Sequence, residues 1–229
     1  MVAPLAVTLL LFWLLVRSDA DLSRKERQPQ WWQELATMMR RSSVYWLCLL
    51  YAVTFGGFVG LCSMLPIFLH DQYGLNLIEA GSVTALCGLL GSLIRPFGGF
   101  VADRFGGIVV LGPVFAAIAG LMAGLGDLPP IGWAVSLLVG GIATMGFGNG
   151  VVFQVVSERF PKQIGVASGI IGAAGGFGGF LLPVWLGALK DLSGTYRTGL
   201  WLFAAVSIAA AVSVAFTIRR TDDRGNEGS

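Results

Sequence analysis

A single charge interrupts the long apolar stretches of this chain. Arg95 stands in Leu93-Ile94-Arg95-Pro96, eight residues before the Asp103-Arg104 pair that closes the same stretch. Eight helical residues rise about 12 Å, so Arg95 falls within a few ångströms of the centre of a hydrocarbon layer about 30 Å thick. A guanidinium there costs at least about 2.5–3.5 kcal/mol and needs a partner. No acidic residue shares that depth: Asp71, Glu79, Asp127 and Asp191 fall beyond one end of the apolar stretches, Asp103 and Glu158 beyond the other. An unpaired planar guanidinium can grip an oxyanion with two parallel N–H donors. Two readings stand: an anion brought from solution, or pairing with carbonyl groups or with an acid on another segment. Intramembrane charge is functional by default, which favours the anion.

The second candidate is made of glycine. Gly165, Gly169, Gly172, Gly176 and Gly179 advance by 4, 3, 4 and 3 residues, which keeps them on one stripe of one helix. Gly175 and Gly178 widen the stripe and Pro183 closes it. A glycine face admits a neighbouring helix at close range, and it also exposes backbone to a small substrate. The other reactive side chains offer less. Cys48, Cys62 and Cys87 lie inside apolar runs with no metal or disulfide spacing, as small buried thiols do. His70 stands alone beside Asp71, where a structural or solvated role is expected, and no metal site is.

The elements that carry these residues follow from composition. The chain has 229 residues, is 55% hydrophobic and 12% charged, has a mean hydropathy of +0.76, and holds 33 glycines. Soluble domains carry about twice that charge and half that glycine, so the composition argues against a soluble enzyme and for packed membrane helices. About 20 apolar residues make a span, which predicts six: 44–69, 77–98, 107–126, 131–157, 164–189 and 199–218. The shorter run Met1–Val16 lacks the basic start and small-residue end of a signal peptide and reads as part of a further span. With 17–43 on the inner side, twelve Lys and Arg fall inside and only Lys190 and Arg197 outside, which puts the 219–229 tail in the cytoplasm. Within 17–43, Trp31, Trp32, Leu35, Met38 and Met39 share a helical face after Pro29, and Arg40 and Arg41 follow. This predicts an interfacial helix. Topology already accounts for these basic residues, and a net charge of +2 gives no footprint for a nucleic acid.

Several of these segments carry a resemblance. Gly99-x-x-Ala102-Asp103-Arg104-x-Gly106 resembles the cytoplasmic-loop signature of the major facilitator superfamily, with Gly107-Ile108 where basic residues are usual. Gly172-Ala-Ala-Gly175-Gly176-Phe-Gly178-Gly179-Phe-Leu-Leu-Pro183 resembles the signature of that superfamily's nitrate/nitrite porter family. Tyr51 and Phe55 match the Tyr-x-x-x-Phe pair on the first helix of the family's C-terminal half, and Arg95 stands where the next helix carries its substrate arginine. Gly148-Asn149-Gly150-Val-Val-Phe-Gln154 resembles the polar, glycine-rich helix that precedes the signature. The resemblance covers about Arg40 to Arg220.

The resemblance implies an all-α integral membrane protein: the C-terminal six-helix bundle of the facilitator fold over 44–218, with part of the preceding helix at 1–16. It also implies alternating-access transport of nitrate or nitrite in the inner or plasma membrane, with no cofactor and no enzymatic step. Arg95 would bind the anion, with Asn149, Gly172, Gly175, Gly176 and Gly179 also at the substrate. Tyr51 and Phe55, four apart and so on one helix face, would stack on it. Asn149 and Gln154 suit interhelical hydrogen bonding as well as a pore lining. Gly99, Asp103 and Arg104 would form a conformational latch. Family members have twelve spans in two halves, so the partners expected are a small inorganic anion, the lipid bilayer, and a first half or a second copy. The alternatives are a carrier of another small anion or organic acid, and a membrane fragment that binds a partner without transporting. With no carboxylate or histidine at mid-membrane, the residues lean toward anion exchange rather than proton coupling.

Overall fold

A computed structural model describes residues 30–226 continuously, together with Val7, Leu10, Phe12 and Trp13 of the opening run, and gives side chains for 32–218. The rest of the expected partial span at 1–16, the linker after it and the tail side chains lie outside the described residues. The chain divides into two compact units, 1–40 and 41–229. In the first, helix α1 (Gln30–Met39) forms where the sequence after Pro29 predicts one. Thr37 Oγ1 bonds back to Gln33 O at 2.7 Å, and Trp32 is exposed.

The second unit is all helical among its described residues. It contains six helices long and apolar enough to cross a membrane. The first span runs as α2 (Ser42–Tyr51), a π turn (Ala52–Gly56) and α3 (Gly57–Tyr73). It stops at Gly74, whose φ of +69° only glycine adopts freely, and His70 Nδ1 lies 2.8 Å from Leu75 O in this cap. The second span starts with a capping box: Asn76 Oδ1 accepts from Glu79 N at 2.9 Å, and Glu79 Oε2 from Asn76 N at 3.1 Å. It comprises α4 (Leu77–Leu93) and α5 (Arg95–Phe105), with a break at Ile94. Then follow α6 (Gly107–Gly126), α7 (Ile131–Arg159), α8 (Ile164–Ser193) and α9 (Arg197–Asn226).

Two helices outrun their apolar cores. The second span continues past 98 to Phe105 and takes most of the Gly99–Gly106 signature into helix, leaving Gly106 (φ +87°) as its cap. The last helix continues past 218 to Asn226, through part of the expected tail. Backbone hydrogen bonds persist where polar side chains reach headgroup depth, so hydropathy marks the end of the hydrocarbon and not the end of the helix.

The core centres on α7. It packs against α4, α5 and α6, α6 packs along α9, and α8 covers the first span. Leu138, Ile142, Met145, Val151 and Val152 of α7 are fully buried. Burial is uneven: 61% of the first span's apolar window is inside the bundle, against 17% for the second and 22% for the fifth. Those two spans therefore present wide outer faces. At one end of the bundle, Lys190 pairs with Asp71, Tyr196 Oη donates to Asp71 Oδ2 at 3.3 Å, and Arg197 Nη2 meets Asp127 Oδ1 at 3.1 Å. Burial pushes the Tyr196 phenol above its usual range, although Lys190 beside it pulls the other way.

Candidate anion site at the break in the second span

Arg95 opens α5 at the break. Pro96 has no N–H to return to Ser92 O, and its ring crowds that carbonyl, so the helix cannot run straight through. Phe97 N instead reaches Ile94 O, three residues back, at 3.1 Å. The neighbour that tolerates this bend is α7. Gly146 lies on the Gly91 carbonyl and Gly150 on the Arg95 carbonyl, each with no room for a Cβ. Glycines four apart thus carry the two backbones past each other on both sides of the break.

The facing part of the first span is also irregular. Its π turn bonds i to i+5 and makes a wider loop than an α turn. Thr54, fully buried, donates its hydroxyl to Leu50 O at 3.3 Å. The extra width is housed by glycine on both sides: a Cβ at Gly56 would lie 2.7 Å from Gly178 C, and one at Gly178 2.7 Å from Ala52 O. Non-helical backbone at membrane depth survives where protein buries it or a cavity lines it, and here two such places adjoin.

Between them lies the arginine. Arg95 Cζ is 5.3 Å from the Phe55 ring centroid and 4.7 Å from that of Phe58. Contacts of this kind run from about 0.5–1 kcal/mol when exposed to about 2 kcal/mol when desolvated, so two of them offset part of the cost of the half-buried charge. They use none of its hydrogen-bonding capacity. Among the described residues no carboxylate pairs with Arg95, no acceptor takes its N–H groups, and Nε is buried without a partner. An oxyanion could therefore take the donor edge while the rings keep the cation in place.

Tyr51 and Phe55 stack on each other, with centroids 5.0 Å apart and planes 4° from parallel. Phe153 of α7 packs edge-on against Tyr51 at 5.0 Å. Gly175 makes room for the pair, since a Cβ there would sit 2.5 Å from Tyr51 Cδ1 and 2.9 Å from Phe55 Cδ1. Asn149 belongs to the same neighbourhood. Met145, Asn149 and Phe153 recur every four residues on α7; Met145 lies against Gly57 and Phe153 against Tyr51, so Asn149 faces the π turn between them. It is 2% exposed, and neither amide atom has a partner. Gln154 lies one turn further along, its Nε2 given to Glu158 Oε1 at 2.6 Å and its Oε1 resting on Gly107 without a donor.

The structure thus brings Arg95, Phe55, Tyr51, Gly175 and Asn149 together, and it divides the glycine stripe. Gly175, Gly178 and Gly179 pack on Tyr51, Ala52 and Val59, whereas a Cβ at Gly172 or Gly176 would meet nothing within 4 Å. At 100° per residue, the packed row through Ile171, Gly175, Gly178 and Leu182 lies about a third of a turn from the stripe through Gly172 and Gly176. One row is thus the seam with the first span, and the other is open. The expected latch is separate again. A Cβ at Gly99 would lie 3.9 Å from Gly150 O, in ordinary contact, Asp103 is exposed, and Arg104 Cζ lies 5.9 Å from the Phe105 ring. Phe58, Phe153 and Thr54 went unnoticed in the sequence. Phe58 is three residues beyond Phe55, a helical neighbour that the Tyr-x-x-x-Phe pattern omits.

Comparison with known proteins sets this geometry in context. Residues 1–183 match the family model of the Major Facilitator Superfamily. The nitrite extrusion protein of Bacillus subtilis is 36% identical over 181 residues, 79% of this chain and 46% of that protein. The probable nitrate/nitrite transporter NarK2 of Mycobacterium tuberculosis is 34% identical over 223 residues, 95% of this chain and 55% of that protein. The probable nitrate/nitrite antiporter NarK1 of Thermus thermophilus is 31% identical over 211 residues, 80% of this chain and 47% of that protein. The chain spans about half the length of the curated relatives it matches.

Proposed function

The chain belongs to the Major Facilitator Superfamily, and on that premise we propose that it forms the C-terminal, six-span half of an alternating-access carrier for nitrate and nitrite. The observation that carries this reading is Arg95: a guanidinium at the break of a span, held over Phe55 and Phe58, with its N–H donors unused among the described residues. A planar oxyanion of nitrate size takes two of those donors in its own plane. Tyr51 and Phe55 offer it a flat apolar wall, and the buried Asn149 amide adds one donor. Three relatives named for nitrate or nitrite support the substrate.

The other wall of the site comes from a first half, or from a second copy of this chain, docked on the open faces of the second and fifth spans. Midplane sites in such folds form between two repeats, and access alternates as one bundle rocks on the other. Gly172 and Gly176 would lie on the sliding face, and Gly99, Asp103 and Arg104 would latch one conformation. The bias of basic residues supports a cytoplasmic C-terminal tail. Binding and release need no covalent step.

The experiment is reconstitution in liposomes, with and without a first half from a related porter. Nitrate uptake is expected only with the first half, competed by nitrite and not by acetate. Uptake by the chain alone that is abolished by Arg95→Ala would replace the two-half reading with a homodimer. Competition by acetate as strong as by nitrite would remove the substrate assignment.

A further inference from the structure

The two ends of the six-span bundle treat their cations differently. At one end Lys190 pairs with Asp71 and Arg197 with Asp127. At the other, Arg41, Arg104 and Arg159 have no carboxylate partner among the described residues and lie over aromatic rings instead. Two of these three converge. Arg41 precedes the first turn of α2, and its Cζ lies 5.9 Å from the centroid of Phe160, the residue that follows Arg159 at the end of α7. Arg159 Cζ lies 5.3 Å from the ring of Trp46, one turn into α2.

Both rings are fixed. Trp46 Nε1 donates to Ser213 Oγ at 3.2 Å, and Phe160 is 4% exposed. Glu158, the nearest acid in sequence, is exposed and takes its hydrogen bond from Gln154. The start of α2 adds to the same field, because no side chain caps its first N–H groups. Two guanidinium groups and a helix N-terminus thus lie on the same joined ends of α2 and α7, with no carboxylate paired to either arginine among the described residues. Below this place α2 turns outward an apolar strip, with Cys48 half-buried and Leu49 68% exposed. A soluble anion has no use for such a strip, whereas an acyl chain does.

We propose that Arg41, Arg159 and the N-terminus of α2 form a site for the phosphodiester headgroup of an anionic membrane phospholipid, with its acyl chains along Cys48 and Leu49. The guanidinium groups supply bidentate donors to the phosphate, and Trp46 sits at the depth where tryptophan ordinarily marks the headgroup boundary. The site lies apart from Arg95 and does not depend on the transported substrate.

Native mass spectrometry of the full chain, purified with phosphatidylglycerol and phosphatidylcholine in equal amounts, tests this. Phosphatidylglycerol should be retained in preference. The double substitution Arg41→Gln/Arg159→Gln should reduce its retention roughly thirtyfold, as two basic residues near an anionic surface allow. Arg197→Gln, at the opposite end, should leave retention unchanged. The unaltered chain offers a check without substitution: retention should fall as salt rises. Equal retention of the two lipids, indifference to the double substitution, or indifference to salt would each overturn the proposal. Displacement of phosphatidylglycerol by inorganic phosphate at matching concentration would also overturn it, by showing a site for free phosphate.

Discussion

Gly175→Ala should destabilise the bundle where Gly176→Ala does not. A Cβ at Gly175 falls 2.5 and 2.6 Å from Tyr51 Cδ1 and Cε1 and 2.9 Å from Phe55 Cδ1, about 1 Å inside ordinary contact. Tyr51 has little room to yield, being 5% exposed, stacked on Phe55 and met edge-on by Phe153. Overpacking of this kind costs about 1–3 kcal/mol. Gly176 is the neighbouring residue of α8 with open space beside it, so any gain in helix propensity from alanine is common to both and cancels in the comparison. The difference left is about 1–3 kcal/mol, roughly 5- to 150-fold in the unfolding equilibrium. The assay is unfolding of both purified variants by titration with denaturing detergent, followed by circular dichroism. Midpoints that agree to within about 0.5 kcal/mol would refute the reasoning, because the aromatic pair would then not be held by the glycine seam.

In a completed transporter, Arg95→Lys keeps the charge but loses the flat two-pronged donor, and nitrate affinity should drop by tenfold or more in equilibrium binding. Gly176→Leu should not lower the unfolding midpoint of the chain alone, since its side chain enters open space, and should abolish uptake once a first half is docked. Gly106→Ala forces a φ of +87° on a residue with a Cβ and should cost about 1–3 kcal/mol in the same unfolding assay.

The spans were legible because twenty-residue apolar runs have few other uses, and Arg95 because a charge inside such a run stands out. The π turn was not legible. Ala52–Gly56 has the composition of ordinary helix, and bonding to i+5 leaves no mark on residue type. Phe58 stayed hidden with it, since its approach to Arg95 depends on the break at Ile94 and on the neighbouring span together. The glycine row was half legible: spacing gives the angles among Gly172, Gly175, Gly176 and Gly179, but not which angle meets the first span. Asp103 and Arg104 marked the end of the second span's helix to within one residue, since α5 closes at Phe105 and Gly106 caps it.

The π turn lets the first span carry one residue more without a change of face. Bonding to i+5 takes up one residue more than the α ladder, and each residue carries 100° of helical phase. Deleting one residue from Ala52–Gly56 would let the ladder close as an ordinary α turn, and everything before the turn would keep its face relative to everything after it. Tyr51 would stay in line with Phe58 and Leu47 would stay inside the bundle, and what would go is the extra width that Gly56 and Gly178 house. Substitutions can adjust the strength of the aromatic wall beside Arg95, but only a deletion can remove the widened turn within it. Segments of this kind let a helix gain or lose a residue in a single genetic step and still present the same faces.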